Sequence, residues 1–312
     1  MLPIHAYRKL IAAAALAGLA LVGRAEAQPS SGSGGQSGVV IDIDNPQRSK
    51  YPLAIPSAGA GDPATGKTIA EVANFDMKVA GWFRPLDTST YRGDLRAEGL
   101  GIDLVKWRQS GAFGVMKFRS EVRGDSLTID FKLYEIEKGN RPVLERTYKG
   151  SVKDVRKLTH MWCNEVVKYF TGEPGFFGSK IIFSTSAGNR RKRVAAMDFD
   201  GHGLYSVSRN TSINILPAFS PDGNRVAFTS YMRGNPDLYV SSVNGGSTRR
   251  VSYRRGMNTG ASWSPDGSKL AVTLSIDGQP EIYVIDVKSG KKLRRLTNNR
   301  AIDSGAAWSP DG

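Results

Sequence analysis

Apolar and polar positions follow three different rhythms along this chain. The first is a continuous apolar run, Leu10 to Val22, behind a short polar start carrying His5, Arg8 and Lys9 and ahead of Ala25-Glu26-Ala27. A run this short with small residues behind it predicts a secretory signal peptide over residues 1–27, cleaved after Ala27, and not a spanning helix. Residues 28–38 are almost wholly Ser, Gly and Gln and predict a flexible tether. The second rhythm mixes strand and helix spacing. Val39 to Ile43 reads as a strand and Tyr51 to Ser57 as another, interrupted by prolines. Thr65 to Trp82 reads as a helix with Ile69, Val72, Phe75, Met77 and Val79 near one side. Residues 112–122, 126–136 and 142–150 read as three consecutive strands, with turns at Arg123-Gly124-Asp125 and Lys138-Gly139-Asn140. Val155, Leu158, Trp162, Val166 and Tyr169 then mark a helix over 152–171, stopped by Gly172 and Pro174.

The third rhythm is a repeat. Pro217-Ala218-Phe219-Ser220-Pro221-Asp222-Gly223 returns as Ala261-Ser262-Trp263-Ser264-Pro265-Asp266-Gly267 and as Ala306-Ala307-Trp308-Ser309-Pro310-Asp311-Gly312, a period of 44 and then 45 residues. Arg225-Val-Ala-Phe-Thr matches Lys269-Leu-Ala-Val-Thr, Asp237-Leu-Tyr-Val matches Glu281-Ile-Tyr-Val, and a weaker earlier copy begins at Lys180. Short strands at this period predict four-stranded propeller blades. Ser-Pro-Asp-Gly suits the four positions of a type I turn, and the aromatic before it (Phe219, Trp263, Trp308) is expected to pack between blades. The predicted organisation is an α/β amino-terminal domain (mixed sheet with helices) over 39–175, then an all-β propeller over 176–312. The latter span holds about three periods, against the four to eight blades with which propellers close. The expectation is a propeller cut short at its C-terminal side.

Composition narrows the chemistry. The one cysteine, Cys163, excludes a disulfide framework or Cys-based zinc site and is expected in the core. The formal charge of +14 raises anionic partners, but export puts chromosomal nucleic acid out of reach. No Gly-x-Ser-x-Gly elbow occurs, and only His160 and His202 lie beyond the leader, so no catalytic constellation is expected. Asp198-x-Asp200-Gly201-His202-Gly203 lacks the downstream glutamate of a calcium loop and reads as a turn. No metal or cofactor is expected. Arg249, Arg250, Lys291, Lys292, Arg294 and Arg295 fall on outermost strands, where charge blunts edge-to-edge association; attraction to an acidic partner is the sharper alternative.

Signal peptide, α/β domain and Ser-Pro-Asp-Gly blades, in that order, resemble the TolB family of the periplasmic Tol–Pal system. The resemblance runs from about Val39 to Gly312 and includes Val39-Val40-Ile41-Asp42-Ile43, the prolines after Tyr51 and the Trp162 helix. It implies a six-bladed propeller without enzymatic activity. It also implies binding of the lipoprotein Pal, communication with the inner-membrane protein TolA through the mature N-terminus, and a part in outer-membrane integrity and envelope constriction. The Ser/Gly tether lengthens that N-terminus relative to the family. The alternative is the propeller portion of an exported prolyl-oligopeptidase-like serine peptidase whose catalytic domain lies elsewhere; a binder of envelope polymers or carbohydrates is a third possibility. Loops leading into innermost strands line a propeller's channel mouth, which makes Ser212, Ile213, Asn214, Met257, Asn258, Thr259, Gly260, Ile302, Asp303 and Ser304 the candidates for contacting Pal. Bulkier groups at Asn258 and Asp303 are expected to weaken that contact without unfolding an intact propeller.

Overall fold

The computed structural model describes residues 50–58, 61–92, 94–188 and 190–312, which form two compact units divided between Phe177 and Gly178. The signal peptide, the tether and the strand expected at Val39–Ile43 lie outside the described residues.

The first unit is a five-stranded mixed sheet with helices. Its strands are β1 (Tyr51–Ala54), β2 (Phe83–Pro85), β3 (Gly114–Arg123), β4 (Ser126–Glu135) and β5 (Leu144–Ser151), in the order β2-β1-β3-β4-β5. β1 runs parallel to β2 and β3, while β3, β4 and β5 form an antiparallel meander. Strand β1 ends at Ala54, because Pro56 has no N–H for the ladder; Ser57 keeps only an isolated bridge to Phe118. Helix α1 (Pro63–Val79) starts two residues before the expected Thr65. Asp62 caps it, its carboxylate accepting from the Thr65 N–H at 2.8 Å, and Pro63 supplies a preset φ in the first turn. It ends before Gly81, whose φ of +85° breaks the helix. Its buried stripe is Thr65, Ile69, Val72, Ala73, Asp76 and Met77, so Phe75 and Val79 lie off the expected face.

Two short helices that periodicity did not reveal, α2 (Leu95–Glu98) and α3 (Leu104–Gln109), join a second core. There Trp107 packs with Ala54, Val115 and Tyr134. Helix α4 (Val155–Thr171) lies beside α1 and stacks Trp162 on Phe131 of β4, ring centres 5.1 Å apart and 13° from parallel.

The second unit is a partial β-propeller. Blade 1 is three-stranded, with β6 (Lys180–Ser186), β7 (Lys192–Asp198) and β8 (Tyr205–Ser206). Blade 2 has β9 (Asn214–Phe219), β10 (Arg225–Arg233), β11 (Asn235–Ser242) and β12 (Thr248–Ser252). Blade 3 has β13 (Asn258–Trp263), β14 (Lys269–Leu274), β15 (Glu281–Asp286) and β16 (Lys292–Arg295). By sequence repeat, β6 corresponds to the second strand of a blade, and the innermost-strand copy at 302–312 forms no ladder.

Each Ser-Pro-Asp-Gly turn closes as expected, the glycine N–H donating to the serine carbonyl at 2.9, 2.8 and 3.1 Å in chain order. Each serine hydroxyl in the first two copies also donates to the turn aspartate and accepts the N–H that opens the next strand, Arg225 at 2.9 Å and Lys269 at 3.0 Å. The turn is thereby tied to the strand it feeds. The aromatics do sit between blades. Trp263 Nε1 donates to Ala218 O of the preceding inner strand at 3.1 Å, and Trp308 Nε1 repeats this with Ser262 O at 3.1 Å. One apolar cluster joins blades 1 and 2, another blades 2 and 3.

Trp263 is only 7% exposed, so Trp263→Ala is expected to lower the unfolding free energy by about 3–5 kcal/mol through lost packing. Trp263→Phe, which removes the indole donor to the Ala218 carbonyl while filling much of the space, should lie between the parent and that truncation. Urea titration followed by circular dichroism distinguishes the three proteins.

Candidate functional site

The candidate interface is built where each innermost strand begins. Asn214 and Asn258 are the first residues of β9 and β13, and both are completely buried. Asn258 accepts from Ser252 Oγ at 2.6 Å and from the Arg254 N–H at 3.0 Å, while its amide nitrogen donates to Arg254 O at 2.6 Å. Asn214 donates to Lys192 O at 2.9 Å and shares a two-way amide contact with Asn210. These two residues therefore hold the loops from within and present nothing to a partner. This corrects the expectation that Asn258 tolerates a bulkier side chain, since the residue is completely buried and both polar atoms of its amide are hydrogen-bonded. At the third copy Asp303 is half-buried, its N–H donating to Pro280 O at 2.9 Å and its carboxylate accepting from Asn299 Nδ2 at 2.7 Å.

What the anchors leave outside is apolar. The residues immediately before them, Ile213, Met257 and Ile302, are 37%, 40% and 71% exposed. They recur at the blade period, so the repeat brings three apolar side chains out at equivalent places. Tyr231 and Met232, also exposed, adjoin Ile213, whose carbonyl accepts the Tyr231 N–H at 3.0 Å. Ser304 is exposed, whereas Ser212, Thr259 and Gly260 are partly covered. Sequence reasoning missed Tyr231 and Met232, which lie at the end of β10; the signal was available in their apolar character just ahead of the polar Arg233-Gly234-Asn235.

The outer-strand cations divide. Arg250 pairs with buried Asp237 at 3.2 Å and Arg295 with buried Glu281 at 3.3 Å. Arg249 donates to Val287 O across to the next blade at 2.5 Å. These three serve the fold, while Lys291, Lys292 and Arg294 remain exposed. The Thr297 hydroxyl, the Asn299 N–H and Arg295 together hold the Glu281 carboxyl below the ordinary carboxylate range.

The first unit contains a cluster with the ingredients of nucleophilic catalysis but not its setting. His160 Nδ1 lies 2.7 Å from Asp76 Oδ2, and Cys163, one turn on, is wholly buried. Burial, and then the Asp76 carboxylate, push the thiol well above its usual value, opposite to the shift that makes a thiolate nucleophile. Cys163 is a core residue, as expected. The Asp198–Gly203 segment is a turn: the Gly201 N–H donates to Asp198 O at 2.8 Å and Lys180 neutralises the Asp198 carboxylate at 2.5 Å. No group of three metal-ligating side chains gathers among the described residues.

Comparison with known proteins bears on both units. Residues 39–141 match the family described as TolB amino-terminal domain, and residues 167–312 that described as TolB beta propeller domain. The Tol-Pal system protein TolB of Geobacter sulfurreducens is 39% identical over 195 residues, covering 62% of this chain and 42% of that protein. The protein of the same name from Desulfosudis oleivorans is 35% identical over 218 residues, covering 65% and 48%. The chain thus spans about half the length of the curated relatives it matches. The crystal structure of TolB from Acinetobacter baumannii shares the fold, with a TM-score of 0.75 at 23% identity over 85% of this chain and 65% of that one.

The buried anchor and its exposed neighbour should respond differently to truncation. Asn258→Ala removes the contacts to Ser252 and Arg254 and is expected to cost about 1–3 kcal/mol of stability. Met257→Ala, one residue earlier on the surface, should stay within about 0.5 kcal/mol of the parent. Urea unfolding followed by tryptophan fluorescence reads both.

Proposed function

Because the chain belongs to the TolB family, we propose that it acts as a non-enzymatic scaffold of the Tol–Pal system in the periplasm, capturing the lipoprotein Pal on the loop face of its propeller and communicating with TolA through its mature N-terminus. The observation that carries the reading is the repeated placement of Ile213, Met257 and Ile302 outside buried polar anchors. An exposed apolar set held on a stiff scaffold costs little ordering on binding, which favours a protein partner over a small substrate. The match of residues 39–141 to the amino-terminal family supports this reading over a peptidase propeller. No helix among the described residues is long and apolar enough to cross a membrane. In this reading the protein links partners anchored elsewhere in the envelope, contributing to outer-membrane integrity and to constriction at division. The leader over residues 1–27 would deliver it, leaving Gln28 as the first residue of the exported form.

Met257→Glu and Ile302→Glu should each weaken capture of the purified periplasmic domain of Pal at least tenfold while leaving the melting temperature of the chain unchanged. Arg294→Gln, exposed on an outer strand, should leave capture unchanged. Calorimetric titration measures each; unchanged affinity in both glutamate variants would remove Pal from this face.

A further inference from the structure

Blade 1 departs from its two neighbours at one register position. In blades 2 and 3 the third strand carries a buried acid near its start, Asp237 or Glu281, and the facing fourth strand supplies its arginine, Arg250 or Arg295. Strand pairing fixes the equivalent positions. Ser230 pairs with Asp237, Leu274 with Glu281, and Thr185 with Arg193; Tyr239 pairs with Arg250, Tyr283 with Arg295, and Ala195 with Ser206. Where the other blades hold a carboxylate and an arginine, blade 1 holds Arg193 and Ser206. The acid has become a base, and its partner has become a neutral hydroxyl.

This position opens into a cavity of about 370 Å³ that Arg191, Arg193 and Arg209 line together with Ser206, Ser208 and Thr211. No described acidic side chain lines it, and none of the three guanidiniums forms an ion pair among the described residues. All three are exposed, so water screens their mutual repulsion, and an anion placed among them would meet three guanidiniums at once. The surrounding backbone is braced. The Lys192 N–H donates to Ser212 O at 3.3 Å, and buried Asn214 ties the loop carrying Arg209 to the strand carrying Arg193 through Lys192 O at 2.9 Å. Ser208 Oγ accepts the Val194 N–H at 3.0 Å, fixing the same loop at a second point. The guanidinium-bearing segments are therefore held in place before any ligand arrives.

We propose that blade 1 carries an oxyanion-binding site for a phosphate group, held by Arg191, Arg193 and Arg209 at the position that Asp237 and Glu281 fill in the other blades. Planar guanidinium forks match the oxygen pairs of phosphate, and they bind it in preference to a spherical anion such as chloride. The cavity size falls within the range of small-ligand pockets, so the phosphate is free or is borne on a small group such as a lipid headgroup. The site adjoins the loop that carries Ile213, since Ser212 also lines it, but its ligand is recognised by charge and its binding does not require the proposed capture of Pal.

The test titrates inorganic phosphate into the full chain by calorimetry, against chloride at matched ionic strength. The parent should bind phosphate and not chloride. Arg209→Gln should weaken phosphate binding at least tenfold. Arg193→Asp, which restores the acid of the other blades and fills the site from within, should weaken it at least as much while retaining the parent circular dichroism spectrum. Arg294→Gln, which lowers net charge elsewhere, should bind as the parent does. Absence of phosphate binding by the parent, or equal loss in Arg294→Gln and Arg209→Gln, would overturn the proposal. Vesicles of phosphatidylglycerol and phosphatidylcholine separate the sources. Flotation with the anionic vesicles that millimolar phosphate competes away assigns a headgroup; phosphate binding without flotation assigns a soluble ligand.

Discussion

A blade of this propeller cannot bury itself. In β10, Val226, Ala227 and Phe228 are consecutive and fully buried, so side chains on both faces of the sheet are covered at once. Only a neighbouring blade on each side can cover them. Ala227 looks toward the cluster shared with blade 3, and Val226 and Phe228 toward the cluster shared with blade 1. Interblade hydrogen bonds then add direction to a contact that apolar burial alone leaves free to slide. Beside the two indole contacts, Thr229 Oγ1 donates to Thr259 Oγ1 at 3.0 Å. The positions of the surface loops follow from this, because each loop is fixed to the first residue of an inner strand that the next blade clamps.

Buried charge serves the same end in both units. In the first, Glu98 receives Lys117 Nζ at 2.6 Å and Trp107 Nε1 at 2.9 Å, which fastens short helix α2 to the sheet. Burial lowers the Lys117 pKa although Glu98 opposes the shift. In the second, Asp237 and Glu281 bind the outermost strand to the third. Removing one member of such a pair leaves a charge without water or partner and costs more than the pair contributes. These contacts therefore specify which strands meet more than they add to net stability. The exception is blade 1, which lacks this pair and whose outermost strand is only two residues long.

The repeat was legible because its spacing and its turn chemistry agree. A 44-residue period needs a blade, and Ser-Pro-Asp-Gly admits few conformations. The meander β3–β4–β5 and helix α4 were legible for similar reasons, their alternation and helical spacing being unbroken. Helices α2 and α3 were not, because four and six residues are too few to display a period and Trp107 alone carries the burial. The roles of Asn214 and Asn258 were also hidden. A polar residue between strands reads as exposed, and only the loop's return upon itself shows that the amide satisfies backbone groups inside. The Asp76–His160 contact joins residues 84 positions apart, beyond any local pattern. The run of charge in blade 1 was visible as Arg191-Lys192-Arg193, but its meaning needed the strand register that pairs Arg193 with Thr185 and sets it level with two acids.

The indole contacts run in one sense along the chain. Trp263 reaches back 45 residues to Ala218, and Trp308 reaches back 46 to Ser262. Each of these two inner strands is thus sealed on one side by the repeat that follows it. A chain delivered amino-terminus first therefore presents each blade one repeat before its cover arrives. Until then the newest blade stands with one apolar face uncovered, and the described blades lie like a row of shingles, each holding down the one laid before. A pause in delivery of the chain therefore prolongs the exposure of one blade face and no more, because every earlier blade is already pinned.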